Sequence, residues 1–403
     1  MKAPVWLIAL GATMLAQTIS SFMGQCLPVV APLLTASTGV APERIGNLSS
    51  LTSLGSVIFL AFGSPYLARF GPVRSLQIGA AAAIVAMAVA AFGWFPALVV
   101  SSLLLGLSYG PTPPSGSRIL AATAPKEHRS LIFSIKQAGA PAGGALAGLI
   151  VAPFAVAFGW TWALLLAVAA GAITIFAIHP LRAMMDVERD PGRSIHPRDV
   201  FRLSTVMAPI ATLRADPLMV SLTALAFSFS CTQGTLYSFS VTYLTQRGFD
   251  LTDAGFAYAC LQTAGVFARI LLGWLADRTG RAAVNLTVQA YVAAGCVALY
   301  AFMPLDWPLW GVAVVTTACG FFGASWNGIY MAEVARLAPM DKVADASSSS
   351  TLFTFLGYVI APSLFAFAVP YWGWRWPYVA VAGQLVVMAL VQTMLLMRPF
   401  RRG

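Results

Sequence analysis

Three basic side chains, Arg118, Lys136 and Arg269, stand within long apolar stretches of this 403-residue chain. A cation at the centre of a membrane-spanning helix costs about 2.5–3.5 kcal/mol on insertion scales. The sequence places no acid at a comparable depth to neutralise them. Such cations favour the binding of an anion in a low-dielectric interior. Arg suits a carboxylate best because its planar guanidinium matches two oxygens and stays protonated.

Each of the three cations also has a structural interpretation, in which its head group snorkels to the membrane interface. Arg269 and Lys136 lie at similar depths in opposite halves of the chain, so we expect both to bind one anion. Arg118 lies nearer a helix end and follows Pro111 and Pro113. We expect it to serve as a gate or a second anion contact.

The elements that must position these residues are membrane-spanning helices. Hydrophobic residues make up 59% of the chain and charged residues 9%, against about 25% charged residues in soluble domains. Apolar stretches near the ~20 residues needed to cross a bilayer recur along the chain. The sequence predicts an all-α membrane protein with twelve transmembrane helices in two six-helix pseudo-symmetric halves. The predicted spans are about 5–34, 46–67, 75–95, 98–122, 130–156, 160–181, 217–245, 253–275, 284–303, 308–334, 346–369 and 376–397.

A mixed-charge segment divides the spans six and six. We expect an N-terminal bundle over 1–182, a cytoplasmic linker over 183–214 and a C-terminal bundle over 215–403. The halves repeat each other, because the spacing from Pro125 to Gly159 recurs from Pro339 to Gly373, each pair followed by Trp-x-Trp. Parallel repeats of this kind are typical of alternating-access transporters with a site between the halves.

Most of the 24 Lys and Arg residues fall on the side of the predicted bundle that carries both termini. The positive-inside rule therefore predicts cytoplasmic termini and an inner (plasma) membrane protein. The net charge of +10 is spread over short loops, which argues against nucleic-acid binding. The sequence contains no GxxxxGK[ST] loop and no Cys/His cluster, so we expect no enzyme activity, no cofactor and no metal. We expect a monomer whose partners are a small anionic substrate and the lipid bilayer.

The segment Gly273–Arg281 (GWLADRTGR) resembles the signature G-x-L-a-D-R-x-G-R loop of the major facilitator superfamily, in its second-half position. The first-half copy is eroded, because Ala68 stands where an Asp would precede Arg69. With twelve spans in two halves, the resemblance covers essentially the whole chain. It implies a conformational latch, weaker in the first half, formed by Asp277, Arg278, Arg281 and Arg69.

Shorter segments resemble particular branches. Arg269 within Ala268–Gly273 is similar to the eighth helix of oxalate/formate antiporters and monocarboxylate transporters, which implies that it holds a substrate carboxylate. Lys136–Gly144 (KQAGAPAGG) and Trp326–Tyr330 (WNGIY) resemble cyanate-permease-like members. The first of these stretches also partly resembles the fifth-helix G-P-x-x-G-G motif of proton-coupled drug exporters. Its small residues have a simpler interpretation as a close helix–helix contact.

Further polar residues fall on helices that line the cavity in this fold and are candidate substrate ligands, although each could instead join two helices by a hydrogen bond. These candidates are Gln262, Gln17, Gln25, Gln233, Tyr237, Asn327 and Tyr330. Glu333 is the one acid within a predicted span. It is a possible proton carrier or a partner of Arg336, and we favour the second role.

Taken together, these features predict a secondary active transporter of a small organic anion, a carboxylate. Transport would proceed by alternating access, driven by proton symport or anion exchange. Two alternatives remain open at the level of the sequence. One is a proton-coupled drug or multidrug exporter, and the other is a non-transporting membrane receptor or scaffold.

Overall fold

The computed structural model describes residues 4–125, 128–187, 189–196, 217–304, 306–339 and 342–397. Within these ranges the regular structure is helical and contains no strand. The helices of the first half are α1 (Val5–Thr38), α2 (Ile45–Phe62), α3 (Ser64–Phe70), α4 (Pro72–Ala90), α5 (Phe95–Tyr109), α6 (Thr112–Thr123), α7 (Arg129–Leu146), α8 (Ala152–Phe158), α9 (Trp160–Ile178) and α10 (Arg182–Met185).

The second half repeats this order with fewer interruptions. Its helices are α11 (Pro217–Gln246), α12 (Leu251–Thr279), α13 (Ala282–Phe302), α14 (Leu309–Gly323), α15 (Asn327–Leu337), α16 (Val343–Trp372) and α17 (Arg375–Met397). Short 3-10 turns precede α2 at Pro42–Arg44 and follow α9 at His179–Leu181.

Eleven helical segments of the described chain are long and apolar enough to cross a membrane. The twelfth span is α11, whose 30 residues would extend about 45 Å at 1.5 Å per residue. It is less apolar than the others because it carries many Ser, Thr and Gln residues, and most of its residues are buried by neighbouring helices. The predicted twelve-helix architecture is confirmed. Residues 197–216, most of the predicted linker, lie outside the described residues, so the boundaries of the two bundles stay predictions.

The fourth and tenth spans are both broken near their middle. The fourth consists of α5 and α6, separated at Gly110-Pro111, and the tenth consists of α14 and α15, separated at Ala324–Trp326. The helices α5 and α14 are both 15 residues long and are related by the same offset as Pro125 and Pro339. A broken helix leaves backbone carbonyls available to groups outside the helix, which a membrane protein tolerates only where they face protein or a cavity.

The fifth span approaches the eighth across the interface between the halves. A π-helical turn at Ala147–Val151 joins α7 to α8 and packs on α12. Here Gly148 and Gly255 lie in contact, and a Cβ added at Gly255 would come within 2.7 Å of the Gly148 carbonyl oxygen. Small residues therefore let these two helices approach through their backbones. On the other side of the interface α2 packs on α16, and α1 packs on α11.

Candidate functional site

Lys136 is almost completely buried, with 1% of its surface exposed. It projects from α7 to the start of α6, where its Nζ donates to the Pro113 carbonyl at 3.5 Å. Gly116 provides the space, because a Cβ at that position would lie 2.6 Å from Lys136 Cε and 3.1 Å from Nζ. The lysine thus lies on the broken fourth span, beside a carbonyl near the break.

Arg269 occupies the corresponding place at the broken tenth span and also reaches across the interface. Its Nη2 donates to the Ala324 carbonyl at 3.4 Å, in the break between α14 and α15. Its Nη1 donates to the Gln137 carbonyl of the first half at 2.9 Å. Its Nε is buried and makes no hydrogen bond within the described chain. The guanidinium is therefore held by neutral carbonyls and keeps its Nε–H, among other donors, without a partner in the described chain.

No carboxylate of the described residues lies within 4.0 Å of either cation. The two ion pairs seen there are Arg182–Asp186 and Arg336–Glu333, which involve neither Lys136 nor Arg269. Carbonyl dipoles solvate a cation but do not cancel its charge. Two positive charges near the interface between the halves therefore favour an incoming anion.

Three tyrosines lie near the Arg269 charge, and one of them is among the residues predicted from the sequence. Tyr109, Tyr237 and Tyr358 are each near enough to Arg269 for a direct electrostatic interaction with the phenol. Tyr237 was predicted as a ligand, whereas Tyr109 and Tyr358 were not. Tyr109 comes from the first half, at the end of α5, and Tyr358 comes from α16. Arg269 therefore points to the shared centre of the two halves.

A further tyrosine, Tyr258, belongs to a hydrogen-bonded chain between the halves. Gln262 Nε2 donates to Tyr258 Oη at 2.6 Å, and Tyr258 Oη donates to Gln25 Oε1 at 2.7 Å. Because the amide NH₂ of Gln262 is occupied by Tyr258, its Oε1 stays buried without a partner in the described chain. Gln262 thus presents an acceptor.

Gln17 repeats this arrangement in the first half. Its Nε2 donates to Tyr109 Oη at 2.7 Å, and its Oε1 is buried with no partner among the described residues. Both glutamines have 1% of their surface exposed. Tyrosine hydroxyls therefore fix the orientation of two amides, one in each half.

The remaining candidate ligands lie in a buried polar cluster of the second half. Gln233 Oε1 accepts from Trp326 Nε1 at 3.0 Å and from Tyr358 Oη at 2.7 Å. Tyr330 Oη donates to Thr223 Oγ1 at 2.9 Å. Asn327 Oδ1, at the start of α15, is buried without a partner in the described chain. Gln233 and Tyr330 thus join helices, whereas Asn327 keeps a free acceptor.

Arg118 and Glu333 lie apart from this cluster. Arg118 is exposed on α6, unlike the buried Lys136 on the neighbouring helix. Glu333 is 5% exposed and is bonded twice by Arg336, through Nε to Oε2 at 2.8 Å and through Nη2 to Oε1 at 2.6 Å. The carboxylate therefore has a local cationic partner on its own helix.

The two loops with the signature sequence differ. In the second half, Gly280 ends α12 in the left-handed conformation (φ 62°), and the Arg278 guanidinium lies 5.3 Å from the centre of the Trp274 ring. Asp277 is exposed and makes no hydrogen bond or ion pair within the described chain. The latch predicted from the sequence therefore has no bonded partner for Asp277 there. Arg281 is also exposed.

In the first half, the acid that contacts the loop comes from a distant part of the chain. Asp186 follows the sixth span, and its carboxylate accepts from the backbone N–H groups of Val73 at 2.8 Å and Arg74 at 3.0 Å. These are the first N–H groups of α4, so Asp186 caps that helix. Arg69 Nη1 donates to the Arg193 carbonyl at 3.0 Å. The segment after the sixth span thus covers the loop that lacks its own Asp.

Comparison with known proteins agrees with this architecture. The family model described as Major Facilitator Superfamily matches residues 13–356. The peptide transporter POT in complex with sulfate superposes with a TM-score of 0.77 at 15% identity, covering 98% of this chain and 94% of that one. A bacterial homolog of the human lysosomal transporter Spinster, inward-facing and unoccupied, gives 0.73 at 16% identity, covering 98% and 97%. At such identities these likenesses bear on the fold alone.

Three curated relatives are more similar in sequence. The hexuronate transporter of Bacillus subtilis is 29% identical over 36% of this chain, and the 4-hydroxybenzoate transporter PcaK of Pseudomonas aeruginosa is 27% identical over 62%. The gallate transporter of Pseudomonas putida is 29% identical over 38%. The matches span 35%, 61% and 33% of these relatives' own lengths. Because the family model covers most of the chain, this protein belongs to the Major Facilitator Superfamily, a superfamily of membrane transporters rather than enzymes.

Proposed function

We propose that this protein is a secondary active transporter of a small organic anion, and specifically of a carboxylate. The observation that carries the proposal is the state of Arg269. Its guanidinium lies at the interface of the halves, where, among the described residues, it bonds the Gln137 and Ala324 carbonyls and its Nε has no partner. Binding of a carboxylate would replace the neutral acceptors of the guanidinium with a charged one, which is the stronger hydrogen-bonding partner.

In this proposal Arg269 binds the carboxylate, and Lys136 adds a second positive charge from the first half. Lys136 keeps donors free because its Nζ makes one long hydrogen bond, to Pro113. Arg118, exposed on α6, would attract the anion or gate its path. The substrate would enter between the halves, which would then rock about it in alternating access.

The relatives support an anionic substrate. Hexuronate, 4-hydroxybenzoate and gallate, the compounds in the names of the three curated relatives, are all carboxylates. A drug exporter for cationic compounds would need an embedded acid, and Glu333, the buried acid of the described spans, is paired with Arg336. A receptor or scaffold would bind the anion without moving it. We further propose an inner-membrane monomer with cytoplasmic termini.

The decisive experiment is transport by the purified protein in proteoliposomes. Labelled mono- and dicarboxylates and cationic dyes are screened with the parent, Arg269→Gln, Lys136→Gln and the control Arg375→Gln, which changes an exposed arginine remote from the site. We expect anion uptake that Arg269→Gln and Lys136→Gln abolish or reduce at least tenfold and that Arg375→Gln leaves unchanged. Full activity of both site variants contradicts the proposal, and binding without flux favours a receptor.

The energy source is tested in the same vesicles. Uptake driven by an imposed proton gradient indicates proton symport, whereas uptake that requires unlabelled anion inside indicates exchange. Glu333 is the acid through which a proton could pass, and its pairing with Arg336 favours exchange or another proton route.

A further inference from the structure

A second polar region lies beside the proposed anion site. A cavity of about 90 Å³ lies between α1, α2 and α5 of the first half and α11 and α16 of the second. The side chains that give it its character are Gln25, Ser49, Ser53, Ser102, Tyr237 and Tyr358. At about 30 Å³ per water in the liquid, it has room for about three water-sized groups.

The cavity lies beside the positive charge of Arg269, and its own lining is uncharged. Tyr237 and Tyr358, which line it, are the same tyrosines that interact electrostatically with Arg269. None of the lining residues is charged. A molecule whose carboxylate is held at Arg269 can therefore place its uncharged part here. A second carboxylate would meet no cation and would lose its hydration.

Several hydroxyls of the wall are not satisfied by the described protein. The Oγ atoms of Ser49 and Ser102 and the Oη of Tyr237 are buried and make no hydrogen bond there. Ser53 donates to the Ser49 carbonyl and keeps its lone pairs as acceptors. Buried polar groups are rarely left unpaired without a reason, because a donor or acceptor removed from water without a partner destabilises the protein.

We propose that this cavity is the subsite for the hydroxyl groups of the substrate, so that the transported anion is a hydroxylated monocarboxylate. The inference rests on the proposed function, because it assumes a carboxylate at Arg269. Ser49 from α2 and Ser102 from α5 bond substrate hydroxyls from two directions. They are specificity-determining residues, whereas Arg269 supplies the charge contact common to all acids.

The test compares acids that differ only in hydroxyl groups. Binding of benzoate against 4-hydroxybenzoate, and of hexanoate against gluconate, is titrated calorimetrically with the full-length protein in detergent. The variants are Ser49→Ala and Ser102→Ala, with Arg269→Gln to measure the dependence on the anion site. The matched control is Ser50→Ala, which removes a buried, unpartnered hydroxyl of the same helix that does not line the cavity. Thermal unfolding of each variant checks that it folds.

We expect each cavity variant to weaken binding of the hydroxylated acid about fivefold, as for one lost hydrogen bond, and to leave the unhydroxylated acid within about twofold. Terephthalate, with a carboxylate in place of the hydroxyl, should bind more weakly than 4-hydroxybenzoate. The two serines lie on different helices, so the test can still be read if only one of the two variants folds.

The outcomes separate the two proposals. If Ser49→Ala and Ser102→Ala change the ratio of the two affinities no more than Ser50→Ala does, or if terephthalate binds as well as 4-hydroxybenzoate, the subsite is wrong. If hydroxylated acids bind with dependence on the serines but not on Arg269, the anion site is wrong and the subsite stands. If none of the four acids binds, both proposals are contradicted.

Discussion

The guanidinium of Arg269 and the backbone carbonyl of Gln137 join the two halves of the protein through a hydrogen bond of 2.9 Å. Gln137 is the neighbour of Lys136 in α7, so Arg269 contacts the fifth span at the residue next to the buried lysine. A substrate carboxylate that binds Arg269 must compete with this carbonyl. Anion binding and the contact between the halves would thereby be coupled.

The geometry of the Arg269 contacts predicts that a positive charge alone does not suffice to bind the carboxylate tightly. We expect Arg269→Lys to weaken carboxylate binding about tenfold, because an ammonium cannot engage two oxygens in the planar fork of a guanidinium. Arg269→Gln should weaken it further. Titration of a carboxylate bound by the parent, with Arg375→Lys as the control, measures both. Equal affinity of parent and Arg269→Lys would show that the fork is not used.

Gly116 should be needed for the position of Lys136. In Gly116→Ala the new Cβ would lie 2.6 Å from Lys136 Cε, so the lysine must move off the Pro113 carbonyl. We expect reduced transport with a small change in the free energy of unfolding, because the displaced atoms are the far end of a flexible side chain. Gly11→Ala is the control because nothing lies within 4 Å of its new Cβ. Parent-like transport by Gly116→Ala would contradict the role of this contact.

The approach of the fifth and eighth spans should depend on Gly255. A Cβ there would come within 2.7 Å of the Gly148 carbonyl oxygen. Because this oxygen belongs to the backbone, a change of side-chain rotamer cannot relieve the clash. We expect Gly255→Ala to disfavour the conformation in which these helices touch and to lower the transport rate. The control Gly265→Ala adds a Cβ with no atom nearer than 3.8 Å. Distances between spin labels on α8 and α12 report the shift, and identical distributions would refute it.

Glu333 is expected to act structurally. Because both of its oxygens are bonded by Arg336, Glu333→Gln should leave the pH profile of transport unchanged. Arg336 is largely exposed, so the pair contributes only about 0–1 kcal/mol to stability. Transport rates between pH 5 and 8 test this expectation. If Glu333→Gln keeps exchange but loses uptake driven by a proton gradient, Glu333 is the proton carrier after all.

Asp186 should stabilise the start of α4. Asp186→Ala removes the acceptor of the Val73 and Arg74 N–H groups, and we expect a loss of about 1 kcal/mol in the free energy of unfolding. Asp186→Asn retains an acceptor and should cost less. Chemical or thermal unfolding in detergent compares the three proteins. Equal losses for Asn and Ala would indicate that the carboxylate acts through its charge and not as a cap.

The sequence by itself determined the membrane architecture and indicated the residues of the candidate site. Length and apolar composition select twelve spans, since only a helix satisfies its own backbone in lipid. Basic residues within apolar spans, such as Lys136 and Arg269, can be recognised from a single sequence because they are costly in an apolar segment. The spacing shared by Pro125–Gly159 and Pro339–Gly373 indicated the repeat, although not the paired breaks in the fourth and tenth spans.

Only the tertiary structure decided which atoms remain free. Gln262 carries a donor and an acceptor, and its contact with Tyr258 leaves the acceptor. Ser49 and Ser102 are ordinary residues in sequence, and they line one cavity because α2 packs on α5. Asp186 caps α4 beside the loop that lacks the signature Asp, through a contact between distant segments. Such facts depend on the packing of one helix against another, which a composition or a spacing within one helix does not specify.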